Sequence, residues 1–169
     1  MEIKNCTPND LPVILELYQA ARALQSERKM VVWPSFSEEY LLAEINELRQ
    51  FKIMLNHAIA CNWAITFSDL EIWGDKDLKD SIFIHRICTH PQYRGNRNID
   101  HIVEWAKIYA KQQGKSYVRL DTLGQNDKLI RHYTSAGFHF LGIHRLTNTA
   151  TLPKHYQDEP NCCLFEIKL

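Results

Sequence analysis

The sequence predicts an α/β fold, and three observations carry that reading. Apolar runs of strand length alternate with amphipathic helical stretches through the second half of the chain. Two of those helices are closed by glycines, Gly114 and Gly137, placed where a left-handed residue is needed. With 169 residues, 45% hydrophobic, 24% charged and 11% aromatic, the chain can bury a core without disulfides or metal. One domain spanning 1–169 is expected.

Met1 to Cys6 reads as the first strand. Thr7-Pro8-Asn9-Asp10 opens a helix with a capping hydroxyl, a proline in the first turn and an acid near the positive end of the dipole. Leu11, Ile14, Leu15 and Tyr18 line its inner face, and it ends within Arg22 to Ser26. A second helix starts at Ser37, carries Glu38 and Glu39 in its first turn and buries Leu41, Leu42, Ile45 and Leu48. Phe51 to Leu55 and Ile59 to Phe67 pair across Asn56-His57 as a hairpin. The polar stretch Gly74 to Asp80, with three Asp and two Lys, reads as a solvated loop.

The apolar run Ser81 to Cys88 leads through Thr89-His90-Pro91 into Tyr93-Arg94-Gly95-Asn96-Arg97-Asn98, then into a helix with Ile99, Ile102, Val103, Ala106 and Ala110 inward. A strand, a polar turn and a helix start aim unpaired backbone N–H groups and a dipole end at one spot, a seat for phosphate. Lys111 and Gly114 close that helix, and Ser116 to Thr122 is the next strand. Asn126 then caps a short helix with Leu129, Ile130 and Tyr133 on one face, Gly137 stops it, and Phe138 to Ile143 is again a strand.

This order, with strand 81–89, the Arg94-Gly95 turn, the Asn126 helix and the Gly137-Phe138 strand, resembles the GNAT family of N-acetyltransferases over roughly the second half of the chain. The strand, two helices and hairpin of the first half are the order expected of that family's complete fold. Its motif Asn-x-x-Ala-x-x-Leu-Tyr-x-x-x-Gly-Phe is met at Asn126, Tyr133, Gly137 and Phe138, with Leu129 and His132 at the small and aliphatic positions. Its motif Arg/Gln-x-x-Gly-x-Gly/Ala is met at Arg94, while Arg97 and Ile99 stand at the glycine and alanine positions. The resemblance implies a mixed, centrally splayed sheet with helices on both faces. It also implies acetyl-CoA as co-substrate, held between two parallel strands that part, with its pyrophosphate on the turn and its thiol near Tyr133. Cofactor-binding residues are then Ile87, Cys88 and Thr89, whose backbone amides hold the carbonyl, together with Arg94, Gly95, Asn96, Arg97, Asn98, Ile99 and Asn126. At Arg97 two readings stay open: its side chain crowds the phosphate cradle, or its guanidinium becomes a donor to the pyrophosphate.

Amine acetylation needs a base for the amine and a proton for the leaving thiolate. Tyr133 is the candidate acid; the alternative is a ring that merely packs. No Glu occurs in Ser81 to Thr89, so His85 and Asp121 are the candidate bases. His85 lies two residues from Ile87 and shares its face in a regular strand, and a reference pKa near 6.5 suits the task. Against this, His85, Arg86, Arg119 and Asp121 read equally as a polar network tying the sheet to its helices. Acceptor specificity is assigned to Trp33-Pro34-Ser35-Phe36 and to Thr147 to Asn161, with Trp33, His155 and Tyr156 lining a pocket or packing as ordinary loop residues.

Twenty acidic and twenty basic residues cancel, which argues against a general nucleic-acid surface. No run reaches bilayer-spanning length, and five Cys without a paired framework fit reduced thiols, so a cytoplasmic protein is expected. Eight His show no metal-ligand spacing, and no metal is expected. The function that follows is acetyl transfer to a small amine in a ternary complex. A non-catalytic acyl-CoA-binding module is the alternative, and a homodimer is left open.

Overall fold

The structure is a computed structural model that describes residues 1–150 and 152–169; Thr151, within the segment assigned to acceptor specificity, lies outside the described residues. The chain runs β1 (Glu2–Asn5), α1 (Leu11–Glu27), α2 (Glu38–Asn46), β2 (Gln50–Leu55), β3 (Ala58–Thr66), α3 (Leu70–Trp73), β4 (Ser81–Thr89), α4 (Asn98–Gln112), β5 (Tyr117–Leu123), α5 (Asp127–Ser135), β6 (His139–Arg145), α6 (Lys154–Asp158) and β7 (Asn161–Lys168). Seven strands form one sheet in the order β1-β2-β3-β4-β5-β7-β6. The sheet is mixed as expected: β4 and β5 run parallel, with Ser81–Phe83 against Tyr117–Arg119, whereas β1-β2, β2-β3, β5-β7 and β6-β7 are antiparallel. The backbone divides into two compact units, residues 1–65 with 85–98, and residues 66–84 with 99–169, so β4 contributes to each.

The first unit is built on a core that includes Leu11, Ile14, Leu17, Tyr18, Leu41, Ile45, Ile59 and Cys88. Entry into α1 is fixed by Asp10, whose carboxylate accepts the Thr7 backbone N–H at 2.6 Å and the Thr7 hydroxyl at 2.9 Å. Leu17 takes the fully buried place expected of Leu15, which is half-buried. Ser37 caps α2 by accepting the Tyr40 N–H at 3.1 Å. Leu41 and Ile45 are buried as expected, but α2 stops at Asn46, so Leu48 falls outside its stripe, at φ 58° and 60% exposed. The hairpin turn is as expected: Asn56 and His57 both hold positive φ, 48° and 65°, the two-residue geometry that matches the twist of paired strands.

In the second unit β7 pairs with β5 along the full length of β5, and with β6 on its other side. Ile72, Trp73, Phe83, Leu146, Leu152, Cys162 and Leu164 form an apolar cluster there. α4 buries Ile99, Ile102, Val103, Ala106 and Ala110, the predicted face. The reading of Gly74 to Asp80 as a solvated loop is corrected at Asp77. That carboxylate is buried and accepts from Ser68 Oγ at 2.6 Å, the Asp69 N–H at 2.7 Å and the Lys79 N–H at 3.2 Å, pinning the segment to α3. Among the described residues, no helix is long and apolar enough to cross a membrane.

Candidate functional site

In the first unit the site candidates lie on the end of β4 and the turn that follows. Arg86 has φ 54° inside a strand, a bulge conformation that breaks period-two alternation. The argument placing His85 and Ile87 on one face therefore does not hold across it. His85 is half-buried; withdrawal from water, then the neighbouring Arg86 charge, pushes its pKa down to about 3. It is neutral at physiological pH, and its basicity is far below the reference value used to nominate it. The Arg86 side chain turns to Glu44, with Nη2 at 2.5 Å from both carboxylate oxygens, and donates from Nε to Tyr18 Oη at 3.3 Å. Arg49 and Gln50 also donate to Glu44, at 3.2 and 2.8 Å. Burial alone would raise the Glu44 pKa, but the Arg86 charge and these hydrogen bonds outweigh it and hold the carboxyl below its usual range.

Ile87 is half-buried, Cys88 is 2% exposed in the core, and Thr89 Oγ1 donates to Cys61 Sγ at 3.5 Å. Beyond them Pro91–Tyr93 makes a tight helical turn, and Arg94, Gly95, Asn96 and Arg97 are exposed. Gly95 has φ 89° and Arg97 φ 50°. The backbone at 97 thus adopts the left-handed conformation a glycine would supply, and the turn carries two exposed arginines, Arg94 and Arg97. This donor set suits an anion such as a pyrophosphate. Asn98 is buried and ties the turn back by donating from Nδ2 to the Tyr93 carbonyl at 3.4 Å. Trp33 packs on the first unit's core, its ring T-shaped to that of Tyr18 with centroids 6.4 Å apart; its backbone N–H donates to Gln25 Oε1 at 3.0 Å.

The second unit holds the other candidates. Asn126 caps α5 by accepting from the Lys128 and Leu129 N–H groups at 3.0 and 3.2 Å, and Gly137, at φ 101°, lets the Phe138 N–H reach back to the Tyr133 carbonyl at 3.1 Å. Between these two stops the Tyr133 ring is fixed, edge-on to Phe138 at 6.1 Å and tilted against Phe165 at 5.3 Å. Asp121 is half-buried on β5, and one of its carboxylate oxygens lies within 4.8 Å of one from Asp69, the residue before α3. Withdrawal from water, then the Asp121 charge, raises the Asp69 pKa to about 8, and withdrawal from water raises that of Asp121 to about 6. At neutral pH the pair therefore shares one proton. Two like charges at this spacing outside bulk water resist ionising together.

Asp69 was not singled out from the sequence. Its one signal was local, an Asp at cap position before Leu-Glu-Ile-Trp; its pairing with Asp121 is a tertiary contact. Arg119 takes no part with Asp121. It pairs with Glu166 at 2.7 Å, donates to the Lys76 carbonyl at 2.6 Å and lies over the rings of Trp73 and Tyr117. Of the network proposed for His85, Arg86, Arg119 and Asp121, the two arginines thus turn to other carboxylates, Arg86 to Glu44 and Arg119 to Glu166. His155 and Tyr156 sit in α6 with ring centroids 4.3 Å apart, and Tyr156 packs on the second unit's apolar cluster. Thr147 and Asn148, after β6, line a cavity of about 320 Å³ together with Leu70, Glu71 and Ile72 of α3.

The mixed sheet, the left-handed turn into α4 and the Asn126-to-Gly137 helix define an acyltransferase fold, and comparison with known proteins gives the family. The profile of the Acetyltransferase (GNAT) family matches residues 23–138, and the chain belongs to that family. Acetyl-CoA is the family's cofactor. The uncharacterized N-acetyltransferase YesJ of Bacillus subtilis is 28% identical over 74 residues, 44% of this chain and 41% of that protein, so the match spans less than half the length of this curated relative. A GNAT-family acetyltransferase of Listeria monocytogenes superimposes with TM-score 0.77 at 18% identity, covering 99% of this chain and 94% of its own. A ribosomal-protein-alanine N-acetyltransferase of Brucella melitensis does so with TM-score 0.74 at 12% identity over all of both chains. Salmonella typhimurium YncA, solved with its cofactor acetyl-CoA, gives 0.70 at 15% identity over 99% and 93%. At these identities the superpositions speak to the fold.

Proposed function

We propose that this protein transfers an acetyl group from acetyl-CoA to a small primary amine by direct transfer in a ternary complex. What carries the reading is the Asp69–Asp121 pair, a half-buried site that holds one proton near neutral pH and so offers a carboxylate base beside a neutral carboxylic acid. Acetyl-CoA supplies an activated thioester, which the amine nitrogen attacks as the CoA thiolate leaves. Asp121 accepts the amine proton, and Asp69 keeps its own proton and steadies the charge that Asp121 carries. Tyr133 Oη returns a proton to the sulfur. The backbone amides of Ile87, Cys88 and Thr89 hold the thioester carbonyl, while Arg94 and Arg97, with the amides of Gly95, Asn96, Asn98 and Ile99, hold the pyrophosphate. Asn126 serves by setting the start of α5 and hence the place of Tyr133. Five buried free thiols support a cytoplasmic location.

A non-catalytic acyl-CoA-binding module draws its support from Arg97 and Ile99 in the turn. The left-handed backbone at Arg97 removes part of that support, because the chain turns there as it would at glycine.

The test is CoA release over an amine panel, with thermal shift by acetyl-CoA as the binding control. Asp121→Asn is expected to lower kcat by about a hundredfold or more, and Tyr133→Phe by about ten- to a hundredfold. Tyr133→Phe keeps the ring contacts with Phe138 and Phe165, so the folded protein is expected to survive the change. A shift with acetyl-CoA but no release with any amine would favour the binding module. Unchanged turnover in Tyr133→Phe would remove that residue from the acid role.

A further inference from the structure

The cavity beside α3 has a definite chemical character. Ile72, Leu146 and Leu152 belong both to its lining and to the second unit's apolar cluster, so its floor is the edge of the core. Its rim is polar, with Glu71, His144 and Thr147. No Lys or Arg lines it among the described residues. At about 320 Å³ it lies at the low end of the range of small-molecule sites, roughly 300–1,000 Å³. Glu71 and Leu70 follow Asp69 directly in the chain, and the Glu71 charge is close enough to Asp69 to help raise its pKa. The whole segment from Phe67 to Asp80 carries five acids, Asp69, Glu71, Asp75, Asp77 and Asp80, against two lysines. A ligand in this cavity meets hydrocarbon below and negative charge at one end.

Resting on the acetyltransferase reading above, we infer that this cavity is the acceptor pocket and that the acceptor is a cationic amine on a compact hydrocarbon body bearing no carboxylate. The body covers Ile72, Leu146 and Leu152, where each buried methylene contributes to binding. The ammonium is drawn to the Glu71 carboxylate on the rim, whose charge is near enough to Asp69 to raise its pKa, and passes its proton toward the Asp69–Asp121 pair. An acceptor with its own carboxylate is repelled at that end and finds no Lys or Arg in the lining to offset the repulsion.

Steady-state kinetics of the full chain with acetyl-CoA test this, comparing alkyl and arylalkyl amines with amino acids of equal carbon number. The carboxylate-free amines are expected to be used with kcat/KM at least tenfold higher. Glu71→Gln is expected to raise their KM about three- to fivefold, the effect of losing one solvent-exposed charge contact, with the loss in KM rather than kcat. Thr147→Trp, a change at the exposed rim that leaves the core intact, is expected to raise KM more than tenfold for the larger amines by filling the cavity. Equal use of amino acids and amines, or KM unmoved in both variants, overturns the pocket and its acceptor class while leaving acetyl transfer standing. No CoA release with any amine, despite a thermal shift with acetyl-CoA, overturns the acetyltransferase reading itself.

Discussion

Arg97 stands at φ 50°, where an L side chain costs about 1–2 kcal/mol and glycine costs nothing. Replacing it with glycine relieves that cost, although roughly half of the gain is returned as extra freedom in the unfolded chain. Arg97→Gly is thus expected to stabilise the protein by about 0.5–1 kcal/mol, read as a rise of roughly 2–3 °C in melting temperature. The same change removes one guanidinium from the turn, and acetyl-CoA is expected to bind about three- to tenfold more weakly by calorimetry. Tighter binding would show instead that the side chain obstructs the cradle. The sequence showed that Arg97 departs from the family motif but not which backbone angle it takes. Two polar residues in succession, His85-Arg86, were a visible break in the alternation of β4, yet only the φ of 54° at Arg86 shows that the strand bulges there. Asp69 was the least legible of the site residues, because a lone acid before a short apolar run reads as a cap.

Helix ends were legible where the signals were local. For α5, Asn126 and Gly137 do what their chemistry predicts at the two termini, and each can be removed separately. Asn126→Ala is expected to cost about 1 kcal/mol, the usual loss of a side-chain cap. Gly137→Ala adds a Cβ that meets nothing within 4 Å, so its cost, about 1–2 kcal/mol, is entirely that of holding φ 101°. Both are measured by urea unfolding, and both should lower activity by loosening the mount of Tyr133. For α2 the apolar spacing alone misled, since Leu48 continues the i, i+4, i+7 stripe from Leu41 and Ile45 while the helix has already ended. Its fully buried residues include Glu44 instead, an assignment no periodicity argument makes for an acid. The pairing with Arg86 explains it, and Arg86→Met is expected to cost about 3–5 kcal/mol by leaving that carboxylate without its main partner. Glu44→Gln combined with Arg86→Met should recover most of the loss.

Across the whole molecule the order of strands and helices, and with it the family, could be read from the chain, whereas its electrostatic balance could not. Glu44, Asp10 and Asp77 have lowered pKa values, because hydrogen bonds and nearby cations outweigh the burial that would raise them. Their stabilisation is present above the unfolded carboxylate range and is lost as pH falls through their folded values. His85, lowered to about 3, acts in the same direction: its contribution is complete above its unfolded value of 6.5 and is lost as pH falls. Asp69 has the opposite sign. Its folded pKa, about 8, lies above the unfolded value, so its contribution is fully present at low pH and is lost as pH rises through 8. Between pH 6.5 and 8 the lowered carboxylates have finished titrating in both states, Asp121, at about 6, is already mostly ionised, and the last half of the unfolded His85 titration adds only about 0.4 kcal/mol in the other direction. Stability is therefore expected to fall across that window by about 1–2 kcal/mol, because unfolding there releases up to one proton from Asp69. Urea midpoints at pH 6.5 and pH 8 measure it. Asp69→Asn should abolish the fall by removing the proton from the pair, and an undiminished fall in that variant would mean that another group carries it.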